Sequence, residues 1–196
     1  MAVYSIEGCS DSCYPGTTVL VNKLNIRSQE KLDTAEKQIT LLRAVQAEQN
    51  MIFNKPDPDF YLSIHKFLFE DIYEWAGTFR KINITKKGTV FCKADQIRET
   101  CILKFQRLED HNYFTDLNTA DFINETADFY NEMNLLHPFR EGNGRTLRIF
   151  ITLLVRNSGR NIYFSDVDPD ILMIATIHAA HGDTSMLKNV FAEIIH

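Results

Sequence analysis

The chain reads as an all-α single domain carrying one small β-hairpin. Three observations predict this. Apolar residues recur every three or four positions through most of the 196 residues; Asp-Pro pairs and glycines mark where those runs start and stop; and only the stretch between Phe79 and Lys93 is β-prone. No internal repeat or low-complexity segment interrupts the pattern.

Taken in order, Leu32, Ala35, Ile39, Leu42 and Val45 keep helical spacing from about Ser28 to Gln49. Asp57-Pro58 then sets a capping carboxylate before a proline at the first helical position, opening a helix through Ile64, Leu68, Ile72 and Trp75 to a stop at Gly77. Ile82-Asn83-Ile84-Thr85 and Thr89-Val90-Phe91 flank Lys86-Lys87-Gly88, a reasonable hairpin turn. A lone hairpin is marginal in water, so this one must rest on the helices. Asp95 is placed to cap a helix with the stripe Ile97, Cys101, Phe105 and Leu108. Asn118 or Thr119 begins the next, where Phe122, Phe129 and Met133 share a stripe that Pro138 keeps from running past His137. Leu147, Ile151 and Leu154, with Phe150 and Val155 beside them, mark a helix that stops at Gly159. Asp168-Pro169 repeats the start signal for a helix ending near Gly182, and Leu187, Val190, Phe191 and Ile194 mark a last one.

Composition narrows the function. An apolar content of 44% suits a soluble domain with a sizeable core, and no run approaches the roughly 18 apolar residues of a membrane span. Met1 to Thr18 lacks a basic start followed by an apolar stretch, so the expected location is the cytoplasm. A net charge of -5 argues against a reader of nucleic acid. Cys9, Cys13, Cys92 and Cys101 lack paired zinc spacing and read as free thiols; His178 and His181 lack a third ligand and read as solvated or partly buried.

The chemistry concentrates in His137-Pro138-Phe139-Arg140-Glu141-Gly142-Asn143-Gly144-Arg145-Thr146-Leu147-Arg148. Arg145 and Arg148 fall in the first turn or so of a helix, whose unpaired N–H groups already make that end positive, so an anion is needed there. Gly142, Asn143 and Gly144 supply backbone that can turn sharply and aim N–H groups at phosphate oxygens. Glu141 would repel those phosphates unless a hard cation such as Mg²⁺ lies between. His137, beside this loop, is placed to take a proton from an attacking hydroxyl. Neighbouring cations and the helix N-terminus favour its neutral form. Phe139 is expected to turn inward and anchor the loop.

This segment satisfies all eight specified positions of His-x-Phe-x-(Asp/Glu)-Gly-Asn-Gly-(Arg/Lys)-x-x-Arg, and on that ground the chain resembles the Fic family. The resemblance implies a Fic fold at residues 28–196 after an N-terminal arm at residues 1–27. It implies that His137 deprotonates the target, Glu141 holds Mg²⁺, Gly142, Asn143 and Gly144 bind phosphates, and Arg145 and Arg148 hold the outer phosphates of ATP. The implied reaction transfers AMP to a Ser, Thr or Tyr hydroxyl of another protein. The kinase-like Doc branch carries Lys where this chain has Gly144, which favours AMP transfer over phosphorylation; UTP or GTP as donor stays open. The hairpin at about 79–93 corresponds to a flap over the active site. Thr85, Lys86, Lys87, Gly88 and Thr89 would dock an extended target segment there by strand addition. Tyr73-Glu74-Trp75-Ala76-Gly77 and the arm's Tyr14-Pro15-Gly16-Thr17 also look familial.

Many Fic proteins are restrained by an inhibitory helix of pattern (Ser/Thr)-x-x-x-Glu-(Gly/Asn). No Glu in this chain has Ser or Thr four residues earlier. The resemblance therefore points to a toxin whose inhibitory Glu comes from a separate small helical antitoxin and engages Arg148. Stand-alone relatives of this kind often target type II topoisomerases such as DNA gyrase, and the resemblance implies such a target here. The alternatives are the Fic domain of a secreted bacterial effector and a nucleotide-binding module without turnover.

Overall fold

The helix that follows the signature is the axis of the molecule. In α5 (Asn143–Asn157) Thr146, Leu147 and every residue from Ile149 to Val155 are buried, as befits a helix packed on several sides. The computed structural model describes residues 4–6, 12–86 and 88–196. Around α5 stand α1 (Gln29–Asn50), α2 (Pro58–Phe69) and α4 (Thr119–Leu136), while α3 (Ile97–Asp110) packs on α2 and α4. α6 (Pro169–Ala180) and α7 (Ser185–Ile194) close the far side of α4. The Phe150 ring meets Tyr61, Phe53, Phe105 and Phe129 at centroid distances of 5.5, 5.7, 5.4 and 5.9 Å, which joins four other segments of chain to α5 in one aromatic core.

Most start signals act as read. Asp57 accepts from the Phe60 N–H at 2.8 Å, Asn118 from Asp121 at 3.1 Å and Asp168 from Asp170 at 2.7 Å. Three readings are corrected. Asp95 caps nothing; it lies inside a 3₁₀ turn, Ala94–Gln96, that leads into α3. α2 stops at Phe69 instead of running to Gly77; of the spaced residues beyond it, Ile72 stays buried and Trp75 is partly buried. The chain turns so that the Tyr73 hydroxyl reaches Glu36 and the Gly77 N–H reaches His65 Nδ1 at 2.8 Å. Gly77 holds φ 79°, and a Cβ there would lie 2.7 Å from that of Lys66. On α1 the spaced residues Leu42 and Val45 are exposed, while the buried positions are Leu32, Glu36, Thr40 and Ala47. A polar pair faces inward there because it meets an arginine.

The hairpin is present as β2 (Ile84–Lys86) and β3 (Thr89–Val90), with Thr85 opposite Val90 and Lys86 opposite Thr89. A third strand, β1 (Tyr4–Ile6), was not anticipated. It pairs antiparallel with β2, Ser5 opposite Thr85, giving the order β1-β2-β3. Lys87 and Cys9 lie outside the described residues. The arm segment from Ser12 onward docks on the same core through buried Cys13, Tyr14, Val19 and Leu20, and the Lys23 N–H bonds the Ile72 carbonyl at 2.8 Å.

Candidate active site

His137 ends α4. It holds the left-handed conformation, φ 44° and ψ 58°, which a non-glycine residue keeps only where its surroundings impose it. Pro138 then bars any helical continuation. The imidazole stacks on Phe91 of the flap at 3.8 Å, and its Nδ1 lies 3.2 Å from the Asn134 carbonyl. That oxygen can only accept, so Nδ1 carries the proton and Nε2 keeps its lone pair. Burial lowers the His137 pKa to about 4. The Asn134 carbonyl and Glu141 oppose the fall, while Lys86 and Arg80 add to it. The ring borders a cavity of about 170 Å³, shared with Lys86 and Thr89 of the flap, Asn134, and Met173 and Ile177 of α6.

From His137 the chain crosses a loop that is fixed from within. Phe139 is fully buried and stacks on His65 at 3.8 Å. The Asn143 side chain turns back to bond both the N–H and the carbonyl of Phe139 at 2.8 Å, so its role in the loop is internal. Gly142, at φ 81°, lies where a Cβ would come within 2.3 Å of the Phe69 ring. No side chain caps α5. Its first N–H groups, on Asn143, Gly144 and Arg145, have no helical partner, and the Gly142 N–H is taken by Glu141 Oε1 at 2.9 Å.

The two arginines expected at the outer phosphates stand in different surroundings. Arg145 forms a close ion pair with Glu36, lies 3.4 Å from Glu141, donates to Thr40 Oγ1 at 3.2 Å and covers the Phe69 ring at 4.8 Å. The Tyr73 hydroxyl donates to the same Glu36. Arg148 has no carboxylate partner among the described residues. It lies beside the Tyr130 phenol and passes close over Gly144, where an added Cβ would meet its guanidinium at 3.4 Å. Of the flap positions, Thr89 is buried, Gly88 turns at φ 82°, and Thr85 and Lys86 lie in β2. One edge of β2 is occupied by β1, so among the described residues the free edge of this sheet on the flap is the outer edge of β3.

Three residues at this site carried no sequence signal. His65 is fully buried. It accepts from Gly77 at Nδ1 and donates from Nε2 to the Glu141 carbonyl at 3.1 Å, tying α2 to the loop. Burial lowers its pKa to about 4, against the pull of that carbonyl. Glu36 and Arg80 are the others. Each lies far from the signature in sequence, and a lone His, Glu or Arg in such a place is unremarked by spacing alone.

A helical domain that sets a tautomer-fixed histidine and an uncapped, glycine-led helix N-terminus on either side of one rigid loop, under a β flap, defines a class of anion-receptive helical proteins. Within that class the chain belongs to the Fic/DOC family, whose model matches residues 55–155. It is 33% identical over 190 residues to a probable protein adenylyltransferase Fic of Escherichia coli (strain K12), covering 96% of this chain and 94% of that one. It is 35% identical over 183 residues to the protein adenylyltransferase VbhT of Bartonella schoenbuchensis, covering 93% of this chain but 38% of that larger protein. Among solved structures, the BepC effector protein of Bartonella tribocorum with bound AMPPNP superimposes with a TM-score of 0.88 at 27% identity, over 94% of this chain and 96% of that one.

Proposed function

We propose that the chain is a protein adenylyltransferase that transfers AMP from ATP to a Ser, Thr or Tyr hydroxyl of a target protein. The reading is carried by His137, whose proton is held at Nδ1 by Asn134 while Nε2 belongs to a ring bordering the cavity under the flap. The target oxygen attacks the α-phosphorus and gives its proton to Nε2. The bond from that phosphorus to the bridging oxygen breaks, and pyrophosphate leaves. A base so placed contributes on the order of 10² to 10⁴ in rate. A pKa near 4 keeps it neutral and ready across the physiological range.

The N–H groups of Asn143, Gly144 and Arg145 receive phosphate oxygens, and Arg148 answers the outer phosphates. Arg145, engaged by Glu36, acts more through the electrostatics of the helix end than by direct grip. Glu141 would hold Mg²⁺, which supplies charge neutralisation between carboxylate and triphosphate. The donor set fits an ion that arrives with its nucleotide: the site offers one hard carboxylate, and no cluster of three ligating side chains exists among the described residues. ATP as the donor is supported by the bound AMPPNP of the BepC structure.

In its cell we place the chain in the cytoplasm as the toxin of a toxin–antitoxin pair, with a small helical antitoxin directing a Glu at Arg148 and a type II topoisomerase as target. The likeness to a translocated Bartonella effector favours, as a second reading, an effector's Fic domain. Incubation with cell lysate, Mg²⁺ and α-labelled ATP tests the chemistry. A labelled protein that disappears with His137→Ala supports it; labelling from γ-labelled ATP alone would make the chain a kinase, and preference for UTP or GTP would change the donor. Co-purification with a small helical partner lost in Arg148→Glu supports the antitoxin, whereas a solitary, fully active chain favours the effector reading.

A further inference from the structure

Arg80 is 4% exposed, and among the described residues its side-chain hydrogen bonds all go to main-chain carbonyls. Nε donates to the His137 carbonyl at 2.8 Å, Nη1 to Ile82 at 2.6 Å, and Nη2 to Cys92 and, at 3.5 Å, to Leu136. Its own N–H bonds the Pro138 carbonyl at 2.9 Å. No carboxylate pairs with it among the described residues, and burying a guanidinium that way is costly unless the oxygens around it are fixed and electronegative. Leu136 and His137 supply such oxygens, because they are carbonyls left over at the negative end of α4. Ile82 and Cys92 lie just outside β2 and β3, one at each root of the flap.

We propose that Arg80 is a positioning residue for the transfer reaction, fixing in one planar fork the backbone of His137 and both roots of the flap. The inference rests on the reading of His137 as the base. Two sets of groups must meet for transfer: the imidazole, and the acceptor that the flap docks beside Lys86 and Thr89. The first is carried by α4 and the second by the hairpin; the Phe91 ring stacks on His137 and the Cys92 N–H bonds the Leu135 carbonyl at 3.0 Å, and this guanidinium adds a tie that reaches the His137 backbone and both flap roots at once. A displacement of about 1 Å between reacting groups costs on the order of 10² in rate. Lysine would keep the cation at the helix end and lose the fork, since its three donors radiate from a single atom.

The test compares wild type, Arg80→Lys and Arg80→Met. Amide hydrogen exchange, read without any need for activity, should quicken in Arg80→Met at residues 80–92 and 136–137 and stay unchanged in α5 and α7. In target labelling, kcat should fall by roughly 10² with the KM for ATP within about twofold, and Arg80→Lys should recover part of the loss. Unchanged exchange at those two segments overturns the proposal, as does a fall in ATP affinity that matches the fall in kcat, the mark of general damage. Should Arg80→Met fail to fold, Arg80→Lys carries the same two readouts with the helix-end charge intact. If wild type itself labels nothing, the base assignment fails, while exchange still decides whether Arg80 couples flap to helix.

Discussion

The first turn of α5 has two sides that are alike in sequence and opposite in physics. Toward α1, Arg145 is neutralised by Glu36 and Glu141, braced by Thr40 and seated on Phe69, while Tyr73 seals the same carboxylate. Toward α4, Arg148 lies beside the Tyr130 phenol and passes close over Gly144, with no carboxylate partner among the described residues. Among the described residues one cation is paired with carboxylates and the other is not. Charge that a fold leaves uncompensated at an uncapped helix end is charge offered to a ligand, whereas charge it compensates belongs to the architecture.

Replacement of the two arginines should separate these roles most sharply. Arg145→Met leaves Glu36 buried without its counter-ion, and breaking such a pair costs about 3 to 5 kcal/mol, or roughly 10 °C in Tm for a domain of this size. Arg148→Met should leave Tm within about 2 °C and weaken ATP binding about tenfold or more. Thermal unfolding and nucleotide titration check both, and equal losses of stability would erase the distinction. Gly142→Ala belongs with the damaging class, because its φ is positive and the new methyl would sit 2.3 Å from the Phe69 ring.

Acid should probe the same contrast through two histidines. Burial holds His65 and His137 near a pKa of 4, below the ordinary value near 6.5. Between those values the unfolded chain binds protons that the folded chain refuses, so stability is complete above pH 6.5 and falls as pH drops toward 4. The loss approaches on the order of 3 kcal/mol for each residue. Urea unfolding at pH 7 and pH 4.5 should show it, and His65→Gln should remove about half the dependence. The two differ in consequence: only His137 borders the cavity, so the acid limb of kcat/KM should follow it, lying near pH 4 instead of 6.5.

How much of this was legible beforehand follows from the reach of each interaction. The helix starts at Asp57, Asn118 and Asp168 were readable because a cap is satisfied within three residues. The buried stripe of α4 and the hairpin were readable for the same reason, since periodicity and turn chemistry are local. The signature named a loop whose internal bonds, Phe139 to Asn143, span four positions. Glu36 meets Arg145 across 109 residues, and Arg80 meets His137 across 57. No spacing rule reaches that far. α1 misled for a related reason: its exposed Leu42 and Val45 obey the helical period better than the inward Glu36 and Thr40, whose burial makes sense only once an arginine is opposite. At α2 the spacing through Ile72 was real, but spacing reports burial, and turns can bury residues as well as helices can.

The smallest expected effect concerns the flap, where the comparison moves from two arginines to two edges. β1 covers the outer edge of β2, so an extended acceptor adding to that strand must first displace three residues of the protein's own chain. Ser5→Pro removes a donor and a strand-compatible backbone at the centre of β1 without touching α4, α5 or the loop between them. If acceptors use the β2 edge, target labelling should rise about twofold to tenfold, the range that a marginal three-residue pairing worth up to roughly 1.4 kcal/mol can withhold. Labelling of an unstructured peptide and of a folded target should rise together, since both compete for the same backbone groups. An unchanged rate would move docking to the β3 edge. There Thr89 already borders the cavity with His137, and the sealed edge would then serve to stiffen the platform on which the acceptor is held.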